Sequence, residues 1–325
     1  MQNTKEGEIG LAAVHAAATL CEAVRTEMVA GRGPDKLDKS DRSPVTVADF
    51  GAQALVCRLI GDAFPEDAIV AEEDSQMLRE PGSAEQMSAL RRFVSAQAGA
   101  ADAETICAWI DRGNGESGAR FWTLDPIDGT KGFLRNDQYA VALALIEGGS
   151  VQWGFLACPV LPYRDGRGVV FVAQRGAGAQ AFTLDGESLG PVRVSAPGDV
   201  KQARIIKSVE VSHTDSGVVA EFKAALNITG ETILMDSQAK YGAVASGQAD
   251  IYLRLPNPRR PDYRENIWDH AAGAIVVEEA GGKVTDAYGN ALDWTRRRQL
   301  KNIGVVATNG HLHDLIIGTL AQFLP

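Results

Sequence analysis

Residues 121–130 read Phe121-Trp122-Thr123-Leu124-Asp125-Pro126-Ile127-Asp128-Gly129-Thr130. The first four are aromatic, aliphatic or β-branched, which predicts a strand. That strand delivers Asp125. Pro126 predicts a turn, and Asp128 follows three residues after Asp125, so both carboxylates can point to one side with the Ile127 carbonyl between them. Ligands that are all oxygen, held by a turn, suit a hard cation such as Mg²⁺. Gly129 lets backbone approach closely, and the amides of Gly129 and Thr130 can cradle a phosphate where a short helix begins. Asp-Pro and Asp-Gly are also common turn dipeptides, so this stretch alone leaves plain turn chemistry open.

Toward the N-terminus, Leu11, Val14, Ala18, Cys21, Val24 and Met28 recur at spacings of three and four. They predict a helix over 7–31 with one apolar stripe, stopped by Gly31, Gly33 and Pro34. A polar loop follows at 35–43. A second helix starts near Thr46, buries Ala52, Leu55, Val56, Leu59 and Phe64, and ends at Pro65. Residues 68–71 are a short apolar strand running into Glu72-Glu73-Asp74. Residues 77–113 are polar and helical, broken at Pro81-Gly82 and Gly99. An excursion of that length between two strands predicts a lid or binding loop.

Toward the C-terminus, residues 139–146 and 151–157 flank Glu147-Gly148-Gly149-Ser150, a hairpin signal. Residues 168–173 and 179–183 flank another glycine turn. The stretch 191–198 is the best linker. After it, strands at 203–209, 232–234, 250–255, near 283 and near 304 alternate with helices at 216–226, 237–247, 268–280 and from 311. The expectation is two domains: an α+β unit over 1–195 with a mostly antiparallel sheet, and an α/β unit over 196–325.

The chain has 325 residues, enough for about two domains and substantial cores. Lys and Arg total 32, Asp and Glu 42, so the net charge is −10, which argues against a nucleic-acid backbone as partner. Uncharged apolar runs fall short of a membrane span, and no basic segment precedes an apolar one at the N-terminus. Cys21, Cys57, Cys107 and Cys158 are far apart with no CxxC, which reads as buried thiols of a cytoplasmic protein. No GxxxxGK[ST] loop occurs, and Gly176-x-Gly178 is too little for a dinucleotide loop.

Other acids each have a bland reading. Glu72-Glu73-Asp74 can be a solvated strand end. Asp49 stands at capping-box spacing from Thr46. Asp269, in Trp268-Asp269-His270-Ala271-Ala272-Gly273, suits a helix start. Lys240 and Arg254 can be surface charges, and His213 an ordinary loop residue.

Together these stretches carry a resemblance. Asp49 in SPVTVAD, Glu72 in AEED, DPIDGT at 125–130 and WDHAAG at 268–273 resemble, in order and rough spacing over nearly the whole chain, the lithium-sensitive, magnesium-dependent phosphatase superfamily of inositol monophosphatase and fructose-1,6-bisphosphatase. SPVTVAD at 43–49, GTKGFLR at 129–135, MDSQAKY at 235–241 and YLRLP at 252–256 look like its 3′(2′),5′-bisphosphate nucleotidase branch, as does the segment ending RGNGESGARFW. One departure is Ala71, where the family usually has Gly.

The resemblance implies alternating layers of helices and sheets with the active site between two domains. It implies two or three Mg²⁺ ions: Glu72, Asp125 and the Ile127 carbonyl on the first, and Asp125, Asp128 and Asp269 on the second. Asp49 and Thr130 would orient the attacking water, and Asp49 can help hold a third ion. Gly129, Thr130, His213, Ser237, Lys240 and Arg254 would bind substrate, with Ser237 and Lys240 three apart on one helical face. The implied reaction is hydrolysis of the 3′-phosphate of 3′-phosphoadenosine 5′-phosphate, extending to its sulfated precursor. Inositol polyphosphate 1-phosphatase or inositol monophosphatase activity is the alternative within the same chemistry. A non-catalytic nucleotide or metal sensor is the alternative of another class, against which stands the presence of all five carboxylates and Thr130. Oligomeric state is left open.

Overall fold

The computed structural model describes residues 4–31, 47–196, 198–210, 216–256, 262–295 and 298–324. The predicted loop at 35–43, Thr46 and His213 lie outside the described residues.

The first sheet runs in sequence order through β1 (Ala68–Ala71), β2 (Arg120–Asp128), β3 (Ala140–Glu147), β4 (Ser150–Tyr163), β5 (Gly166–Gln174), β6 (Gly178–Phe182) and β7 (Ser188–Pro191). Every neighbour pair is antiparallel except β1 and β2, which are parallel. β3 shows why one sheet can carry so apolar a run. Val141, Leu143 and Leu145 face one core, while Ala140, Ala142, Ala144 and Ile146 face another. Both faces are covered, so the period-two alternation expected of a half-buried strand is absent.

The large residues of β3 meet α1 (Lys5–Val29) and α2 (Val47–Ala63). The small ones admit α7 (Ala239–Ala245) and α8 (Ala271–Glu279) on the opposite face. Gly154 in β4 marks the closest approach of α8, since a Cβ there would stand 2.3 Å from Ile275 Cγ2 and 2.9 Å from the Ala272 carbonyl oxygen. α1 is a described helix long and apolar enough, by length and composition, to cross a membrane. Its apolar face, however, is already spent in the core, where Ala13, Val14, Ala17 and Cys21 are fully buried.

The second sheet has the order β11-β12-β10-β8-β9, with β8 (Ile205–Lys207), β9 (Thr232–Leu234), β10 (Ile251–Arg254), β11 (Lys283–Thr285) and β12 (Val305–Thr308). β10, β8 and β9 are parallel, and β12 is antiparallel to both β10 and β11. Tyr252, Val305 and Ala307 face α7 and α8, while Ile251, Leu253 and Val306 face α6 (Ser216–Ala225) and α9 (His313–Leu320). The result is five alternating layers: α1/α2, first sheet, α7/α8, second sheet, α6/α9. The four cysteines are free and buried.

The excursion between β1 and β2 is not a lid. It forms a 3₁₀ turn (Met77–Arg79), α3 (Ala84–Ala98) and α4 (Ala103–Asp111), and Leu90, Val94, Ile106 and Ile110 are buried in the core that holds α2. Its end returns to β1, where Ala71 donates its N–H to the Gly113 carbonyl and Gly115 donates to the Ile69 carbonyl, each at 2.8 Å.

Candidate active site

Because β1 and β2 are parallel and Ala71 pairs with Leu124, the next residues, Glu72 and Asp125, emerge side by side at the same sheet end. Pro126 does not make the expected turn: β2 continues to Asp128. The register against β3 slips instead, with Asp125 opposite Ala142 and Asp128 opposite Ala140. Three steps along β2 therefore match two along β3, which is a bulge. In a regular strand, residues three apart face opposite sides. The extra residue brings Asp125 and Asp128 into one electrostatic cluster.

Gly129 then takes φ +87°, a left-handed backbone that costs glycine little, and opens α5 (Thr130–Leu134). Thr130 Oγ1 lies 3.2 Å from the Ile127 carbonyl oxygen and 3.4 Å from Asp49 Oδ1. Asp49 comes from the first turn of α2 and is buried.

The acids strain one another. Burial, then Glu73, then Asp49 push Glu72 up to about 8, although its carboxyl opens on the cleft. Burial and Asp49 push Glu73 up to about 8. Asp125 is raised well above the usual range by burial, then by Glu72, Asp128 and Asp269. Burial also raises Asp128, against the pull of Lys240 and Arg254. Burial raises Asp269 to about 7, opposed by His270 and Arg254. Asp125 Oδ1 is buried without a hydrogen-bond partner. Clustered acids and a bare buried oxygen are the donor set a hard divalent cation fits.

The acids Glu72, Asp128 and Asp269 line a cleft of about 340 Å³ together with Ser237, Lys240 and Arg254. Ser237 and Lys240 do not share a helical face. Ser237 precedes α7 with φ +64°, and its carbonyl accepts from Lys240 Nζ at 2.6 Å. Neither cation is a surface charge. Lys240 is 3% exposed and lowered to about 8 by burial against the pull of Asp128. Arg254 Nη2 meets Glu265 Oε2 at 2.7 Å.

Three residues escaped the sequence reading. Glu265 pairs with Arg254 and lies 3.2 Å from His270 Nε2; despite its burial these partners bring it down to about 2. Glu265, Asp269 and His270 present ligand atoms within 4.8 Å of one another. Glu265 is already committed to Arg254 and His270, whereas Asp269 accepts from the Asn266 N–H at 3.3 Å. Gln238 donates its N–H to Asp128 Oδ2 at 2.6 Å, while its side chain donates to the Trp268 carbonyl at 2.8 Å and accepts from Gly273 N–H at 3.1 Å. Gln53 accepts from Glu73 N–H at 3.1 Å and donates to the Ile110 carbonyl at 3.0 Å. Only Gln53 carried a signal, its i, i+4 spacing from Asp49. Ala71 is fully buried, and a Cβ built on Gly113 would lie 2.7 Å from its methyl, so Gly113 supplies the room that alanine needs.

A layered α+β fold whose acids from β1, β2 and the loop ahead of α8 share a cleft with Lys240 of α7 and Arg254 of β10 is the architecture of a phosphatase class. The chain belongs to the inositol monophosphatase family, whose pattern it matches over residues 1–324. Within that family it is similar to proteins named 3′(2′),5′-bisphosphate nucleotidase. The Schizosaccharomyces pombe protein of that name is 40% identical over 97% of this chain and 95% of its own, and the Oryza sativa protein 41% over 92% and 89%. Among solved structures, an IMPase from Thermotoga maritima superposes with TM-score 0.65 at 22% identity over 98% of both chains. The inositol monophosphatase from Anabaena gives 0.63 at 23%, over 98% of this chain and 96% of its own.

Proposed function

We propose that the chain is a Mg²⁺-dependent phosphoric monoester hydrolase that removes the 3′-phosphate of 3′-phosphoadenosine 5′-phosphate, releasing AMP and phosphate. The observation that carries this reading is that one cleft is lined by both signs of charge: Glu72, Asp128 and Asp269 together with Lys240 and Arg254. A bisphosphate needs both, one to react and one to anchor. The identity of 37–41% to proteins named bisphosphate nucleotidase supports it.

The family is metal-dependent in general. Here Glu72, Asp125 and the Ile127 carbonyl would hold one Mg²⁺, and Asp125, Asp128 and Asp269 another. Bound there, the cations would offset negative charge on the attacking and leaving oxygens. Asp49 and Thr130 orient the attacking water: Thr130 Oγ1 sits between the Ile127 carbonyl and Asp49, so a water bound beside it points a proton at the Asp49 carboxylate. The water oxygen bonds to phosphorus as the bond to the 3′-oxygen breaks; the water gives one proton up to the Asp49 carboxylate, and the leaving oxygen takes one proton from solvent to become the hydroxyl, so that no net proton is consumed once Asp49 returns its own. Lys240, Ser237 and Arg254 anchor the 5′-phosphate. Arg254 Nε is buried with no hydrogen-bond partner and remains to donate beyond the Glu265 pair. Gly129 keeps the backbone thin where the reacting phosphate enters.

The test is product identity. With Mg²⁺ the chain should convert 3′-phosphoadenosine 5′-phosphate to 5′-AMP, seen by phosphorus NMR, and EDTA should stop it. Release of the 5′-phosphate instead, or faster turnover of inositol 1-phosphate, would contradict the reading.

A further inference from the structure

Arg298 belongs to no motif read above, yet it touches both arms of the acid cluster. Its Nη2 donates to the Ala71 carbonyl at 2.7 Å, across 227 positions of sequence. Its guanidinium carbon lies 4.7 Å from the centroid of the Trp268 ring. Ala71 directly precedes Glu72, and Trp268 directly precedes Asp269.

The backbone fixes where Arg298 stands. Ile267 N–H donates to the Arg298 carbonyl at 2.9 Å, Leu300 N–H donates to the Glu265 carbonyl at 2.8 Å, and Gln299 bridges Asn266. Residues 298–300 thus run as a short antiparallel rung against 265–267. β1 is an edge strand, so its last carbonyl can receive a donor from outside the sheet. A guanidinium is suited to this double contact. It is planar, stays charged, stacks on an aromatic face and still directs an N–H along its edge; an ammonium can do only one of these well.

We propose that Arg298 is a positioning residue for the metal site. It ties the end of β1 to the loop ahead of α8, so that Glu72 from the first sheet and Asp269 from beside the second are held at the spacing a shared set of cations needs. This rests on the Mg²⁺ reading above. The acids repel one another, and the brace resists their separation. Gln238 ties Asp128 to the Trp268 carbonyl, while Arg298 connects the Glu72 arm to the Trp268 ring.

The experiment is calorimetric titration of Mg²⁺ into metal-stripped wild type, Arg298→Ala and Arg298→Lys, with melting temperatures in EDTA and KM at saturating Mg²⁺. The Ala variant should bind Mg²⁺ about tenfold more weakly, with its EDTA melting temperature and KM close to wild type. The Lys variant should recover part of the affinity, because it can reach the carbonyl but cannot lie flat on Trp268. Wild-type Mg²⁺ affinity in the Ala variant would overturn the proposal, whether or not the EDTA melting temperature falls. Wild-type protein that binds no Mg²⁺ would overturn the metal reading itself, a separable result.

Discussion

Thr130 Oγ1 and Asp49 Oδ1 approach to 3.4 Å although 81 residues separate them in sequence, one at the start of α5 and the other in the first turn of α2. Gly129 is the N-cap of α5, and Thr130 is additionally near the Ile127 carbonyl. On the proposed reading this contact orients the attacking water.

Thr130→Val and Asp49→Asn should therefore lower kcat and leave KM nearly unchanged. Positioned proton acceptance contributes typically 10²–10⁴-fold, so a loss of roughly 10²-fold is expected for Asp49→Asn. The double variant should lose little more than the worse single one, because the two act as a unit. Steady-state kinetics on all three variants check this; losses that simply multiply would separate the residues.

Mg²⁺ should raise the melting temperature, since it binds only where the acids converge. A native-state ligand at 100 times its Kd adds about 2.7 kcal/mol, which for a chain of this size is roughly 4 °C. Asp125→Asn should remove most of the rise and nearly all phosphate release. Scanning calorimetry with Mg²⁺ and with EDTA reads it directly.

Glu265 sets an acid limit on stability. Its folded pKa is brought down to about 2, chiefly by Arg254, against an unfolded value of about 4.3. A depressed carboxylate stabilises above its unfolded pKa and loses that contribution as pH falls through its folded one, so the loss should fall between about pH 4.3 and pH 2. Glu265→Gln leaves Arg254 unpaired and should cost roughly 3–5 kcal/mol at neutral pH. Urea melts of wild type and variant should converge as pH drops toward 2; a constant gap would mean that the pair does not titrate as described.

Gly154→Ala tests the layer contact. Its new methyl would meet Ile275 and the α8 backbone, neither able to swing away. Overpacking of this kind costs about 1–3 kcal/mol. Denaturant midpoints measure it, and an unchanged midpoint would show that the layers can part.

Much of this architecture was legible because apolar spacing and glycine turns are local signals. Residues 68–71 and 232–234 read as strands, and β1 and β9 have those bounds. What could not be read depends on pairing. Pro126 looks like a turn from its own chemistry, and only the register with β3 reveals a bulge. The excursion at 77–113 is polar on its exposed side, which hides how Leu90 and Ile106 reach the core. Lys240 and Arg254 look like surface charges until Glu265, Asp128 and Tyr252 surround them. Gln238 and Arg298 act through contacts to distant backbone, and Glu265 through the side chains of Arg254 and His270, so none carries a spacing of its own.

The Glu265 pair also decides which variant can probe substrate choice. Arg254→Ala would strip a buried carboxylate of its partner and disturb the fold. Lys240→Met keeps the length of a buried chain over Tyr252 and removes the charge together with its hydrogen bond to the Ser237 carbonyl.

The central claim is that one end of the cleft reacts while the other anchors a second phosphate. The measurement is kcat/KM for 3′-phosphoadenosine 5′-phosphate and for 3′-AMP, in wild type and Lys240→Met. A hydrogen bond from a charged group is worth roughly 1.5–3 kcal/mol, about tenfold to a hundredfold. The variant should lose that factor on the bisphosphate, through KM, and keep wild-type efficiency on 3′-AMP. Equal losses on both substrates would contradict the two-ended cleft.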